Sequence, residues 1–82
     1  MPFHAYVLQS QTTGRFYVGH TEDLPKRAFE HNNNRTWSIK NRGPWVLVHS
    51  EEYATRAEAS RRERQMKMKS HAWLERLVRA SR

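Results

Sequence analysis

Two tyrosines on strand-like runs, an arginine and a histidine four residues apart, and one oddly placed glutamate are the residues of this chain suited to chemistry. Ala5-Tyr6-Val7-Leu8 and Phe16-Tyr17-Val18-Gly19 flank the turn-forming Thr12-Thr13-Gly14, so a hairpin should bring Tyr6 and Tyr17 close together. Arg27 and His31 follow on one face of a helix. A permanent cation beside an imidazole is what stabilising a phosphate and moving a proton require, so the constellation suits the breaking of a phosphodiester. The glutamate is Glu63. Helical spacing turns Ala59, Arg62, Glu63 and Met66 toward the core, which places a carboxylate inside the apolar stripe. Burying it unpaired is costly. A neighbouring arginine would compensate its charge, and so would a bound Mg²⁺, which takes few protein carboxylates and keeps several waters.

These residues need a scaffold, and the chain specifies one. Residues 3–10 and 15–20 read as the hairpin strands. Asp23 is placed to cap a helix with Leu24 and Pro25 in its first turn, ending near His31 before Asn32-Asn33-Asn34. On that helix Leu24, Pro25, Ala28 and Phe29 form an apolar band, with Arg27 and His31 at its border, where packing can hold a side chain that still reaches a cleft. Residues 35–43 lack a period and read as a loop with Arg35, Lys40 and Arg42 around Trp37. Gly43-Pro44 then opens Trp45-Val46-Leu47-Val48-His49, a third strand apolar on both faces and expected to be central. Thr55-Arg56-Ala57-Glu58 has capping-box form and predicts a helix of about 13 residues. Ser70 caps a last helix whose Trp73, Leu74, Leu77 and Val78 make one stripe. The order is β-β-α-β-α-α, an α+β fold with a three-stranded antiparallel sheet flanked by helices, in one domain over 1–82.

With 82 residues the core is modest, since such a chain buries only about 60% of its unfolded surface. Fifteen Lys and Arg against 8 Asp and Glu give +7, so a polyanion is the natural partner. Arg56, Arg61, Arg62, Arg64, Lys67 and Lys69 crowd one segment against Glu58 and Glu63. Singly each reads as part of a solvated face; together they predict salt-dependent attraction to phosphates, with Arg35, Lys40, Arg42, Arg62 and Lys67 as expected nucleic-acid contacts. Cysteine is absent, which removes disulfides, thiolate zinc sites and cysteine nucleophiles together. The five histidines, His4, His20, His31, His49 and His71, lack the i, i+4 pairing of a helical metal site, so no zinc centre is expected. No apolar stretch approaches the roughly 20 residues needed to cross a bilayer, and a cytoplasmic location without membrane contact is the expectation.

The pattern resembles the GIY-YIG nuclease superfamily, in particular its small stand-alone bacterial members, related to the N-terminal incision domain of the DNA-repair excinuclease. His4-Ala5-Tyr6 stands in the place of the first motif and Tyr17-Val18-Gly19 in that of the second. Asp23 to Asn32 matches the family's helix, with its arginine and its histidine-asparagine end, and Glu58 to Lys67 resembles the segment whose glutamate binds the metal. The match covers nearly the whole chain. The resemblance implies hydrolysis of a phosphodiester with one divalent metal, Mg²⁺ or Mn²⁺. Tyr6 and Tyr17 would orient and deprotonate the attacking water, Arg27 would hold the scissile phosphate, His31 would accept or relay a proton and Glu63 would hold the metal. The first motif lacks its glycine and isoleucine, and His20 replaces a lysine that several relatives carry, which gives His20 a supporting part.

Each residue also has a plainer reading. Strand tyrosines pack their rings and let the hydroxyl reach water, Arg27 could pair with Glu30 or Glu63, and His31 could satisfy the last carbonyls of its helix. A tyrosine base needs help in any case, because lowering a phenol from about 10 to about 7 takes roughly 4 kcal/mol. Trp45 and Trp73 sit in apolar patterns and read as core, while Trp37 in its basic loop is placed to stack on a base. The resulting expectation is a metal-dependent endonuclease acting on DNA with weak sequence preference. Specificity would come from branched or damaged structure, from a homodimer or from a targeting partner. The alternatives are a non-catalytic DNA- or RNA-binding module on the same fold, or an RNA-associated factor.

Overall fold

The computed structural model describes residues 2–24 and 44–81. Their strands are β1 (Phe3–Ser10), β2 (Phe16–Thr21) and β3 (Trp45–Tyr53), followed by helices α1 (Arg56–Lys67) and α2 (His71–Ala80). The turn between β1 and β2 forms as its residues demand. Ser10 Oγ accepts from the N–H groups of Thr12 and Thr13 at 3.2 and 3.0 Å, and Gly14 takes the left-handed conformation at φ 76°. The helix expected from Asp23 to His31 lies, beyond Leu24, outside the described residues, as does the loop that follows it.

The sheet is antiparallel throughout, with three strands in the order β2-β1-β3. This corrects one expectation: β1 is the central strand and β3 lies at an edge. Ala5, Tyr6, Val7 and Leu8 are all fully buried, so β1 satisfies the demand for cover on both faces. In β3 only Trp45 is buried, Val46 and Leu47 stay 44% and 41% exposed, and the strand runs on through polar Ser50, Glu51 and Glu52. A shift in register between Val7 and Leu8 separates the apolar start of β3 from its polar continuation.

On one face of the sheet, Ala5, Val7 and Val18 pack with Met66 of α1 and Leu74 and Val78 of α2. Tyr6, Leu8 and Trp45, with Tyr17 and Leu24 against them, form a second cluster on the opposite face. Both helices begin on the caps expected of them. Thr55 Oγ1 accepts from Glu58 N at 3.2 Å and its hydroxyl donates to Glu58 Oε1 at 2.9 Å, and Ser70 Oγ accepts from Trp73 N at 3.1 Å. Each cap stabilises its helix by about 1 kcal/mol. Burial of the α2 stripe adds about 2 kcal/mol for each of Leu74 and Val78. No helix among the described residues is long and apolar enough to cross a membrane.

Candidate active site

Strand pairing positions the tyrosines. Tyr6 stands opposite Gly19 and Leu8 opposite Tyr17, which makes Tyr6 and Tyr17 diagonal neighbours on one face of the sheet. Tyr6 is only 1% exposed, and its ring lies across Gly19. A Cβ at Gly19 would come within 2.5 Å of Tyr6 Oη, so any side chain there would displace the tyrosine. The glycine that ends the second motif thus has a packing reason. Tyr17 is half-buried and meets the edge of Trp45 at 6.2 Å and 68° between ring planes.

Glu63 approaches from the other face. Its side chain is 17% exposed; Oε1 accepts from His20 Nδ1 at 3.0 Å, and Lys67 Nζ lies 3.5 Å from Oε2. Arg56 Nη1 sits 3.5 Å from His20 Nε2 and reaches Glu22 Oε2 through Nη2 at 3.7 Å. With Nδ1–H donating to the carboxylate, Nε2 is left to accept from Arg56, so a single neutral tautomer serves both contacts. Glu63 therefore accepts a hydrogen bond from a histidine and has its charge met by a lysine, with an arginine one step behind. Tyr6 and Tyr17 lie on one side of β2, and His20 and Glu63 on the other. Arg27, His31, Arg35, Trp37, Lys40 and Arg42 lie outside the described residues.

Arg62 has a different environment from that of a free phosphate contact. Nε donates to Glu51 Oε1 at 2.8 Å and Nη2 to Oε2 at 3.2 Å, a bidentate pair. Tyr53 Oη donates to Oε1 at 2.6 Å and His49 Nε2 to Oε2 at 2.7 Å, while His49 Nδ1 contacts Ser81 Oγ. Sequence reading missed this cluster. Its signal was present: His49, Glu51 and Tyr53 recur at period two, and so share the face that α1 covers. Burial pushes the Glu51 carboxyl up, but the hydrogen bonds from Arg62, Tyr53 and His49 prevail and hold it at about 2, below the ordinary 4.5. Burial and the bond to Glu51 raise the Tyr53 phenol, and Glu51 likewise raises Arg62.

A depressed carboxyl contributes stability that is complete above its unfolded value and is lost as pH falls through its folded one. Glu51 should thus contribute about 2 kcal/mol at neutral pH, once solvent screening of a partly exposed group is allowed for. Unfolding by urea along a pH series checks this: Glu51→Gln should be less stable than the parent by about that amount near pH 6, and the difference should close as the pH falls from about 4.5 toward about 2. A constant difference would mean that the charge of Glu51 contributes nothing.

Among the described residues, no group of three or more His, Asp or Glu could hold a metal ion. A zinc-type site with several protein ligands is therefore not built from them. A hard cation that takes one carboxylate and fills its remaining positions with water and phosphate oxygens does suit Glu63, which is partly exposed and whose Lys67 partner is 54% exposed and free to swing away.

A three-stranded antiparallel sheet with a tyrosine-bearing hairpin, a glycine under the first tyrosine and a half-buried helical glutamate define a class of protein. The GIY-YIG catalytic domain matches residues 2–76, and the chain belongs to this nuclease family. A UPF0213 protein of Halobacterium salinarum is 36% identical over 75 residues, covering 90% of this chain and 96% of the relative. A UPF0213 protein of Enterococcus faecalis is 36% identical over 61 residues, covering 71% of this chain and 68% of its own. The solution NMR structure of a UPF0213 protein from Bacillus halodurans superimposes with a TM-score of 0.62 at 30% identity, covering 98% of this chain and 85% of that one.

Proposed function

We propose that this chain is a metal-dependent endonuclease that hydrolyses DNA phosphodiester bonds with weak intrinsic sequence preference. The observation that carries the proposal is Glu63: a carboxylate is kept half-buried on the sheet-facing flank of α1, beside the strand that bears Tyr17, where a purely structural helix would place an apolar residue. Glu63 would hold Mg²⁺ or Mn²⁺, and the bound ion would supply charge stabilisation for the phosphate. Burial divides the work of the tyrosines. Tyr17 is the more accessible and is suited to orienting and deprotonating the attacking water, while buried Tyr6 would assist by hydrogen bonding beside it. Arg27 would hold the scissile phosphate, His31 would relay a proton, and His20, kept in one tautomer by Arg56, would orient the Glu63 carboxylate. Lys67, Arg35, Lys40 and Arg42 would neutralise phosphates, which position a strand without reading its bases. Discrimination would then rest on branched or damaged structure, on a second copy or on a targeting partner.

One observation favours a second reading. Both oxygens of Glu63 have protein partners, as they would in a non-catalytic DNA- or RNA-binding module on this fold. Phenylalanine variants separate the two readings, because Tyr6→Phe and Tyr17→Phe keep the ring and remove only the hydroxyl. Each should lower the single-turnover cleavage rate by about 10²-fold, the scale of a positioned acid–base group. Wild-type rates in both variants would mean that any cleavage does not use the tyrosines, and the binding-module reading would replace the proposed one.

A further inference from the structure

Trp73 is partly buried against the helix-side core, yet two cations lie near its ring. Arg62 Cζ lies 5.7 Å and Lys69 Nζ 5.4 Å from the ring centroid. With Gln65 and Met68, these residues line a surface groove of about 380 Å³, within the range of small-ligand sites. Among the described residues no carboxylate lines it. Its two cations differ in freedom. Arg62 is locked on Glu51 and gives Nη1 to Gln65 Oε1 at 3.3 Å, which leaves the Gln65 amide N–H₂ as a donor for a ligand. Lys69 is exposed and pairs with no carboxylate among the described residues, so it can leave the ring for an incoming anion. Met68, 86% exposed, supplies a flexible apolar wall.

An occupant that satisfies all four features is flat, carries carbonyl acceptors on its edge and has an anion attached. An unpaired nucleotide fits: its base stacks on Trp73, its edge meets Gln65 and its phosphate draws Lys69. A base inside a duplex is already stacked on both sides and does not enter such a groove. The helix also provides a route. Helical spacing sets Arg62 and Gln65 on one flank of α1, with Lys69 just past the helix end, and Glu63 and Lys67 on the other, with exposed Arg61 and Arg64 between them. We infer that the Arg62–Lys69–Trp73 groove binds an unpaired nucleotide of the DNA strand whose phosphate is handled at Glu63, so that the preferred substrate carries a single-stranded segment. The inference rests on the proposed nuclease reading for the identity of that strand.

Binding of a labelled short oligo(dT) and of a blunt duplex of equal length, measured by fluorescence anisotropy in EDTA, tests the groove apart from hydrolysis. Trp73→Leu should weaken oligo(dT) binding by about five- to tenfold, the low end of base–aromatic stacking, and Trp73→Phe should retain most of it. Lys69→Gln, an exposed change without consequence for folding, should weaken it by about threefold through one lost phosphate contact. Duplex affinity should change by less than about twofold in every variant. If Trp73→Leu and Lys69→Gln alter single-strand and duplex binding equally, or neither, the groove has no such role. Loss of this selectivity with cleavage intact overturns the groove alone; absence of cleavage with the selectivity intact overturns the hydrolytic reading alone.

Discussion

Glu63→Gln is expected to lower Mg²⁺-dependent cleavage by about 10³-fold or more while leaving affinity for the same DNA within about twofold, because the interaction lost acts on charge that develops in the transition state. The amide keeps the shape of the carboxylate and can still accept from His20 Nδ1, 3.0 Å away in the parent, so packing at the β2–α1 contact is preserved. What it removes is the anionic oxygen that a hard cation requires. It also removes one negative charge from a basic helix, which offsets any binding lost with the metal. Cleavage rates at saturating DNA over a range of Mg²⁺, set beside thermal melts, decide the matter. If the variant chiefly melts earlier and retains activity per folded molecule, Glu63 is an ion-pair residue and the proposed site is wrong.

Arg27→Ala should cost about 10³-fold in single-turnover rate and far less in binding, the scale of removing one preorganised donor to a developing oxyanion. Charge on the phosphoryl oxygens is redistributed as the bond breaks, so a clamp that tracks it contributes more to the transition state than to the ground state. Arg27→Lys should recover little, since a point charge cannot reproduce the planar two-pronged contact of a guanidinium with two phosphate oxygens. Rates and affinities for the three proteins on one substrate test this. A variant that loses affinity and rate in equal measure would make Arg27 one more surface cation in a chain of net charge +7.

Much of the scaffold was legible residue by residue. Thr55 with Glu58, and Ser70 three residues before Trp73, announced both helix starts, because capping is an interaction within a single turn. Gly14 announced the hairpin for the same local reason, and the stripe of Leu74 and Val78 followed from helical period alone. The motif tyrosines, the glycine after Tyr17 and the misplaced carboxylate of Glu63 were also visible as residue types at set spacings.

What the sequence did not determine was choice among distant partners. Two runs, at β1 and β3, were apolar on both faces, and only strand pairing decided that β1 has neighbours on both sides while Val46 and Leu47 remain exposed. Glu63 had an unpaired charge in sequence, but its partner His20 lies 43 residues away and meets it only after α1 docks against β2. Arg62 read as a phosphate contact, and its bidentate pairing with Glu51, 11 residues earlier, was not visible in the sequence. Trp73 read as core and does pack against it, but only the docking of α1 and α2 set two cations near its ring. Caps, turns and stripes are decided within a turn or two of chain; compensation of a buried charge and exposure of a ring depend on register and helix docking, which bring together residues that no local period relates.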